Sequence, residues 1–318
     1  MTRIITLTMS PTIDIAYRVP RLEPTHKIRA DSQSCDPGGG GINVARVLAR
    51  LGADVCCHYL SGGVTGATLD ALLDRHKLAR HRLAVAGDTR ISTTIFEAET
   101  GSEYRVVSPG PELGAQEWEA CLALLRDTPV DYLVASGSLP RGVPDDFYAR
   151  LQAVTTRQGA RLVLDTSGDP LKAAVHAGGL HLIKPSLGEF RSLTGKALEE
   201  ENAIAAEAFR LVQAGLVDMV AVTLGHKGAI LAWEGGTLCL PAIPADVKSA
   251  VGAGDSFVAA MVFALSSGRD AVDAFRHGIA GGTAAILTPG TDLAFPEDIA
   301  RMFALVENAA PVRPSPAA

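Results

Sequence analysis

The chain has 318 residues, 47% of them hydrophobic, and 29 Lys and Arg stand against 35 Asp and Glu for a formal net charge of -6. That length buries a large core, as one large α/β domain or two smaller ones, and the acidic balance argues against a nucleic-acid binder, which carries a basic patch. The five cysteines (Cys35, Cys56, Cys57, Cys121, Cys239) are odd in number and form no CxxC pair or Cys/His cluster, so a disulfide frame and a zinc site are excluded in favour of reduced thiols.

The first stretch, Ile4–Thr8, reads as a strand; Arg3–Met9 is too short and lacks a cleavage site for a signal peptide. No apolar run approaches the ~18 residues of a membrane-crossing helix, so the expected setting is the cytoplasm, away from membranes. Extended stretches follow near 15–19 and 27–34, then the glycines 38–41, a helix from about Asn43 to Leu51, a strand at 55–60 and a helix at 69–76. Segments 90–98 and 103–107 flank Thr100-Gly101 and read as a β-hairpin. From residue 132 the βα rhythm is regular. Strands at 132–136, 162–165, 180–184 and 219–223 are continuous apolar runs, as strands buried on both faces of a parallel sheet are. A second hairpin brackets Gly235-Gly236, helices close the chain, and 311–318 is a Pro/Ala tail expected to be disordered. The order implies an α/β fold with a doubly wound, mostly parallel sheet flanked by helices, its site outside the carboxyl ends of the strands. The early strands and the 90–107 hairpin break that rhythm and are assigned to a small β-sheet lid. One domain over 1–310, with lid segments at about 12–36 and 88–108, is the expected organisation.

Two motifs carry chemistry. Val251-Gly252-Ala253-Gly254-Asp255-Ser256 precedes Phe257, Ala260, Met261, Ala264 and Leu265, spaced as one apolar helix face. The unpaired N–H groups of a first helical turn bind anions. An Asp there makes sense if it takes a proton from a hydroxyl while the amides hold a phosphoryl group. Near the other end, Pro37-Gly38-Gly39-Gly40-Gly41-Ile42-Asn43 has more glycines than a turn needs, which implies a backbone approached closely by a ligand. It is neither a P-loop nor a dinucleotide fingerprint.

Together these stretches resemble the paired signatures of the ribokinase-like (PfkB) carbohydrate kinase family. The resemblance spans about 4–304 and includes Ser136-Gly137-Ser138-Leu139-Pro140, Lys184-Pro185-Ser186-Leu187-Gly188-Glu189 and Thr223-Leu224-Gly225-His226-Lys227-Gly228. Within it the sugar-phosphate branch, and there the minor, type B 6-phosphofructokinases, fit best. The marks are Thr6-Leu7-Thr8 followed by Pro11 and Asp14, Lys27-Ile28-Arg29, and the all-glycine 38–41 run, where relatives acting on fructose 1-phosphate or tagatose 6-phosphate tend to carry a Lys.

The resemblance implies an ATP- and Mg²⁺-dependent kinase that phosphorylates the 1-hydroxyl of fructose 6-phosphate. Its alternatives are a 1-phosphofructokinase or tagatose-6-phosphate kinase with the same machinery, and a sugar-phosphate sensor that has lost catalysis. It casts Asp255 as the base, with Gly252, Ala253 and Gly254 as the anion hole. Asp14, Gly39 and Asn43 are cast as contacts to the sugar hydroxyls, and Lys27, Arg90 and Ser138 as the group around the sugar's phosphate. Lys184, Ser186, Thr223, Gly225 and Gly228 fall on the nucleotide side, and Glu189 on the metal. The chain departs from the family pattern at Ser186 (usually Asn), Gly188 (Lys in close relatives), Ala250 (usually Thr) and Asp292 (Arg in close relatives). The last two fall near a monovalent-cation loop, so K⁺ activation is less secure than Mg²⁺ dependence. A homodimer joined through the lid sheets is expected, with Ile28, Ile91 and Ile95 as exposed apolar positions.

Overall fold

A computed structural model describes residues 2–288 and 290–307; the Pro/Ala tail lies outside the described residues. In chain order, β1 (Ile4–Thr8) leads to β2 (Thr12–Val19), β3 (Ser32–Gly38), α1 (Gly40–Arg50), β4 (Val55–Gly62), α2 (Gly63–Asp74) and β5 (Ala79–Val85). Then come β6 (Arg90–Glu97), β7 (Glu103–Val107), α3 (Ala115–Asp127), β8 (Tyr132–Ser136), α4 (Phe147–Gln158), β9 (Arg161–Asp165), α5 (Gly168–Ala177) and β10 (Leu180–Ile183). The chain continues through α6 (Leu187–Thr194), α7 (Glu201–Gln213), β11 (Val217–Thr223), β12 (Ala229–Trp233) and β13 (Gly236–Leu240). It closes with α8 (Ala253–Ser266), α9 (Ala271–Ile286) and α10 (Pro296–Glu307).

Nine strands form one sheet in the order β13-β12-β11-β10-β9-β8-β1-β4-β5. Neighbours from β5 to β11 run parallel, and β12 and β13 are antiparallel. Successive strand side chains point to opposite faces, and the two cores show it. In β8, Tyr132 and Val134 join the core under α1, α8 and α9, whereas Leu133 and Ala135 join the core under α3, α4 and α5. From β1 the chain goes first to β4 on one side and later to β8 on the other. That reversal opens a crevice at the carboxyl ends of the strands, where ligands of such sheets bind.

The second sheet, β3-β2-β6-β7, has β2 parallel to β6 and antiparallel pairs on either side. Its register pairs Thr12 with Arg90, Asp14 with Ser92 and Ser92 with Val107, so these side chains share one face. Tyr104 and Val106 point to the other face, 45% and 61% exposed. Of the isoleucines expected to be bare, Ile91 is exposed, but Ile28 and Ile95 are half-buried.

Three elements differ from the sequence reading. The extended stretch expected at 27–34 starts later, at Ser32, because β3 is held in register with β2 by pairs from Arg18–Ser32 to Thr12–Gly38. The helix expected from about Asn43 starts earlier, because α1 takes in the end of the glycine run and begins at Gly40. Edge strand β5 went unread because Arg80, His81 and Arg82 interrupt its apolar pattern; charges on an edge strand block pairing with other chains.

Candidate active site

The carboxyl ends of β8, β9 and β10 face a cleft of about 360 Å³, lined also by β2, β6 and β7 of the small sheet and by the start of α8. Asp14, Gly39, Asn43, Arg90, Ser138, Lys184, Glu189, Gly252 and Asp255 all line it. Ala253 and Gly254 continue the same turn of α8. Ser186 caps α6 just outside, and a single parallel bridge ties it to Thr223. Thr223 ends β11 and Gly225 and Gly228 follow it, and none of the three is in the cleft lining.

Lys27 is exposed and not among the residues that line the cleft: β2 carries the chain from Asp14 out to Val19, ~17 Å at ~3.4 Å per residue, before the connection holding Lys27 begins. Arg105 lines the cleft. It pairs with Thr94, which alternates with Ser92 along β6, so it shares the face that carries Asp14.

The reason for the glycines in 38–41 also changes. A Cβ on Gly38 would lie 2.0 Å from Asp14 Oδ2, one on Gly40 2.2 Å from Ser136 Oγ, and one on Gly41 2.4 Å from the Leu7 carbonyl. The crowding comes from this chain's own strands, which press the start of α1 against β1, β2 and β8. Gly39 alone of the four has positive φ, 112°, a conformation that suits glycine.

Asp255 is the third residue of α8, whose N-cap Gly252 is left-handed at φ 74°. Asn43 Nδ2 donates to Asp255 Oδ2 at 2.9 Å, and Ser136 Oγ donates to Oδ1 at a long 3.5 Å. Burial, and then repulsion from Asp165, push its carboxyl up to about 6, against the opposing pull of Asn43 and Lys184. A carboxylate so poised is a base near neutral pH.

Asp165, at the end of β9, completes the site's charge balance. Lys184 Nζ lies 3.2 Å from Asp165 Oδ1, with only 8% of the lysine side chain exposed. Burial drags the ammonium's pKa down, but Asp165, then Glu189 and Asp255, more than offset this and keep it charged. Glu189 and Ser186 form a reciprocal cap on α6: Glu189 Oε2 accepts from Ser186 N at 2.7 Å and from its hydroxyl at 2.9 Å, and Glu189 N donates to Ser186 Oγ at 3.3 Å. Glu189 Oε1 is not used by this cap.

On the small sheet, burial raises the Asp14 pKa against the attraction of Arg105 and Arg90. Asp14 Oδ1 and Arg90 Nε are buried without partners, while Arg90 Nη2 donates to the Ser10 carbonyl at 2.9 Å. A carboxylate oxygen and a guanidinium N–H left open in one cleft suit a ligand with hydroxyls and an anionic group. Sequence reasoning missed Asp165 and Arg105, since neither belongs to a spaced motif. The usable signals were a polar residue ending the apolar run Leu162–Leu164 and the alternation of the 103–107 strand.

A cleft beneath a helix N-terminus that sets Arg90, Arg105 and Lys184 among the carboxylates of Asp14, Asp165, Glu189 and Asp255 suits a phosphoryl-transfer enzyme, and residues 4–298 match the family model for the pfkB family of carbohydrate kinases. The chain belongs to that family. Among curated proteins it is similar to the ATP-dependent 6-phosphofructokinase isozyme 2 of Mycobacterium tuberculosis, 41% identical over 95% of this chain and 89% of that one. Among solved structures it is similar to phosphofructokinase-2 from Escherichia coli in complex with substrates and products, with TM-score 0.92 and 33% identity over 96% of this chain and 100% of the other. The same enzyme in complex with potassium gives TM-score 0.92 and 33% identity over 97% of this chain and 100% of that one. Among the described residues, no helix is long and apolar enough to cross a membrane.

Proposed function

We propose that this protein is an ATP-dependent 6-phosphofructokinase, which transfers the γ-phosphoryl group of ATP to the 1-hydroxyl of fructose 6-phosphate. The observation that carries the reading is the meeting of Asp255, at the N-terminus of α8, with Asp14 and the guanidinium groups of Arg90 and Arg105 in one cleft. Asp255 takes the proton from the 1-hydroxyl, whose oxygen attacks the γ-phosphorus in line. The amides of the Gly252–Gly254 turn meet the charge that develops on the phosphoryl oxygens. Asp14 and Asn43 orient the sugar through its hydroxyls. Arg90, Arg105 and Ser138 hold the 6-phosphate. Closing of the small sheet as a lid excludes water, which would otherwise compete as acceptor. ATP extends from the start of α8 toward Lys184, Ser186 and the Thr223–Gly228 segment.

Magnesium fits the hard oxygen donors near Lys184. Asp165 and Glu189 would hold it, in part through water, since Mg²⁺ takes few protein oxygens; among the described residues no cluster of three or more His, Cys, Asp or Glu offers a closed metal cage. Bound there, it would neutralise charge on the ATP phosphates. A potassium site fits less well. Arg50 Nη1 already takes the carbonyls of Asp292 at 2.7 Å and Ala294 at 3.1 Å, and its other arm lies 3.7 Å from the Asp292 carboxylate. No step is assigned to potassium.

The exposed Tyr104 and Val106, with Ile91, support a homodimer in which a second copy covers the outer face of the small sheet; a monomer by light scattering at micromolar concentration refutes it. The function is tested by coupled assay of ADP release with fructose 6-phosphate, fructose 1-phosphate, tagatose 6-phosphate, fructose and ribose. A higher kcat/KM for either of the other sugar phosphates overturns the substrate and leaves the kinase class. Absence of any sugar-dependent turnover with intact ligand binding selects the sensor.

A further inference from the structure

Arg46 is 2% exposed, a guanidinium inside the body of the protein, and no role is yet assigned to it. It lies one helical turn after Asn43 on α1, a spacing that puts both side chains on one helix face. Its Nη1 donates to three acceptors from three parts of the chain: the Pro37 carbonyl near the end of β3 at 3.2 Å, Asn43 Oδ1 at 3.5 Å, and the Thr291 carbonyl at 3.4 Å. Its Nε and Nη2 are buried without partners, and the carboxylates that attract it are Asp36, Asp292 and Asp14. Asp36 is itself held by Thr291, whose hydroxyl donates to it at 2.7 Å.

A charge buried this deeply with two nitrogens unsatisfied costs stability, so packing alone does not account for it. What the position does supply is orientation. Asn43 must present its Nδ2, not its Oδ1, to Asp255, and a carboxamide has two faces that differ only in donor and acceptor. A donor on Oδ1 from the opposite side fixes that choice. The same guanidinium holds Pro37, where the small sheet joins α1.

We propose that Arg46 is a positioning residue for phosphoryl transfer, tying the end of β3 to Asn43 and through Asn43 to the base Asp255. This rests on the kinase reading above and on Asp255 as its base. Loss of the tie lets the Asn43 amide and the base wander, and a displacement of ~1 Å at the reacting atoms costs ~10²-fold in rate.

The test is a double-mutant cycle on kcat with fructose 6-phosphate, using Arg46→Met, Asn43→Ala and the double variant, with Arg46→Lys as a fourth protein that keeps the buried charge. Turnover by the parent enzyme is measured first, so failure of the kinase reading is seen separately. The expected result is a fall in kcat of tenfold or more for Arg46→Met and Arg46→Lys, with KM for ATP within about threefold of the parent. In the Asn43→Ala background, adding Arg46→Met lowers kcat by less than threefold, because the pathway through Asn43 is already cut. A purely structural role gives losses that multiply in the double variant, and that outcome overturns the proposal. So does full kcat in Arg46→Lys. If Arg46→Met fails to fold, the cycle is run with Arg46→Lys and the same two outcomes decide it.

Discussion

Replacing Asp255 by Asn separates the residue's chemistry from its cost to the fold. The carboxamide has nearly the carboxylate's shape: its oxygen can take the Asn43 N–H that Oδ2 now accepts at 2.9 Å, and its NH₂ can face the Ser136 hydroxyl, 3.5 Å from Oδ1. Ligand binding therefore survives. The rate does not, because a general base typically contributes ~10²–10⁴-fold, or about 3–5 kcal/mol of barrier. Stability should move the other way. The folded-state pKa of about 6 lies above the ordinary value of 3.8, so the folded chain holds this proton more tightly than the unfolded chain does. Ionising Asp255 thus lowers stability as pH rises from about 4 to about 6, and the full cost persists above that window. At 1.36 kcal/mol per pKa unit the cost is on the order of 3 kcal/mol, and a carboxamide does not incur it. Asp255→Asn should melt a few degrees higher than the parent at about pH 8, with a smaller gain at about pH 5.5. The parent's kcat/KM should fall as pH drops through the same pKa. Calorimetry at the two pH values and steady-state ADP release provide the readouts. A variant within tenfold of the parent rate removes Asp255 from the base role, and a variant that melts lower refutes the assignment of a strained, buried carboxylate.

Arg105→Gln should raise KM for fructose 6-phosphate by tenfold or more while leaving KM for ATP unchanged, since one charge-assisted bond contributes ~1.5–3 kcal/mol; equal effects on both substrates would contradict its assignment to the sugar phosphate. Glu189→Gln should raise the magnesium concentration for half-maximal rate before it alters KM for the sugar, and a loss of thermal stability with an unchanged magnesium titration would leave Glu189 only its cap on α6. Gly188→Lys introduces a cation beside the α6 cap, at a position where an added Cβ meets nothing within 4 Å. It should fold as the parent does and lower KM for ATP; a rise in KM would show that the departure at Gly188 is not a missing phosphate contact.

The chain's own order of residues determined the architecture and the principal chemistry. Strands such as Leu162–Asp165 and Met219–Thr223 are buried on both faces, so their composition alone marks them, and the Gly252–Asp255 turn and the 37–43 run are contiguous motifs whose local backbone demands show in the residue types. What the sequence left undecided was contact between distant segments. Asp165 is a single acid at the end of a strand, and only the parallel pairing of β9 with β10 and the tertiary fold bring it to Lys184 and within repelling reach of Asp255. Arg105 enters the cleft because the register of β7 on β6 sets its face, and a one-residue slip would turn it outward. Lys27 and Arg90 are alike in sequence as lone cations near a motif, but only the direction of β2 and its pairing with β6 decide that Arg90 lines the cleft and Lys27 does not. The four glycines were legible as a close approach, but whether a ligand or this chain's own Asp14, Ser136 and Leu7 fills the space could be decided only in three dimensions. Periodicity and local backbone geometry are properties of neighbouring residues, whereas register, strand direction and the meeting of charges are set by tertiary packing.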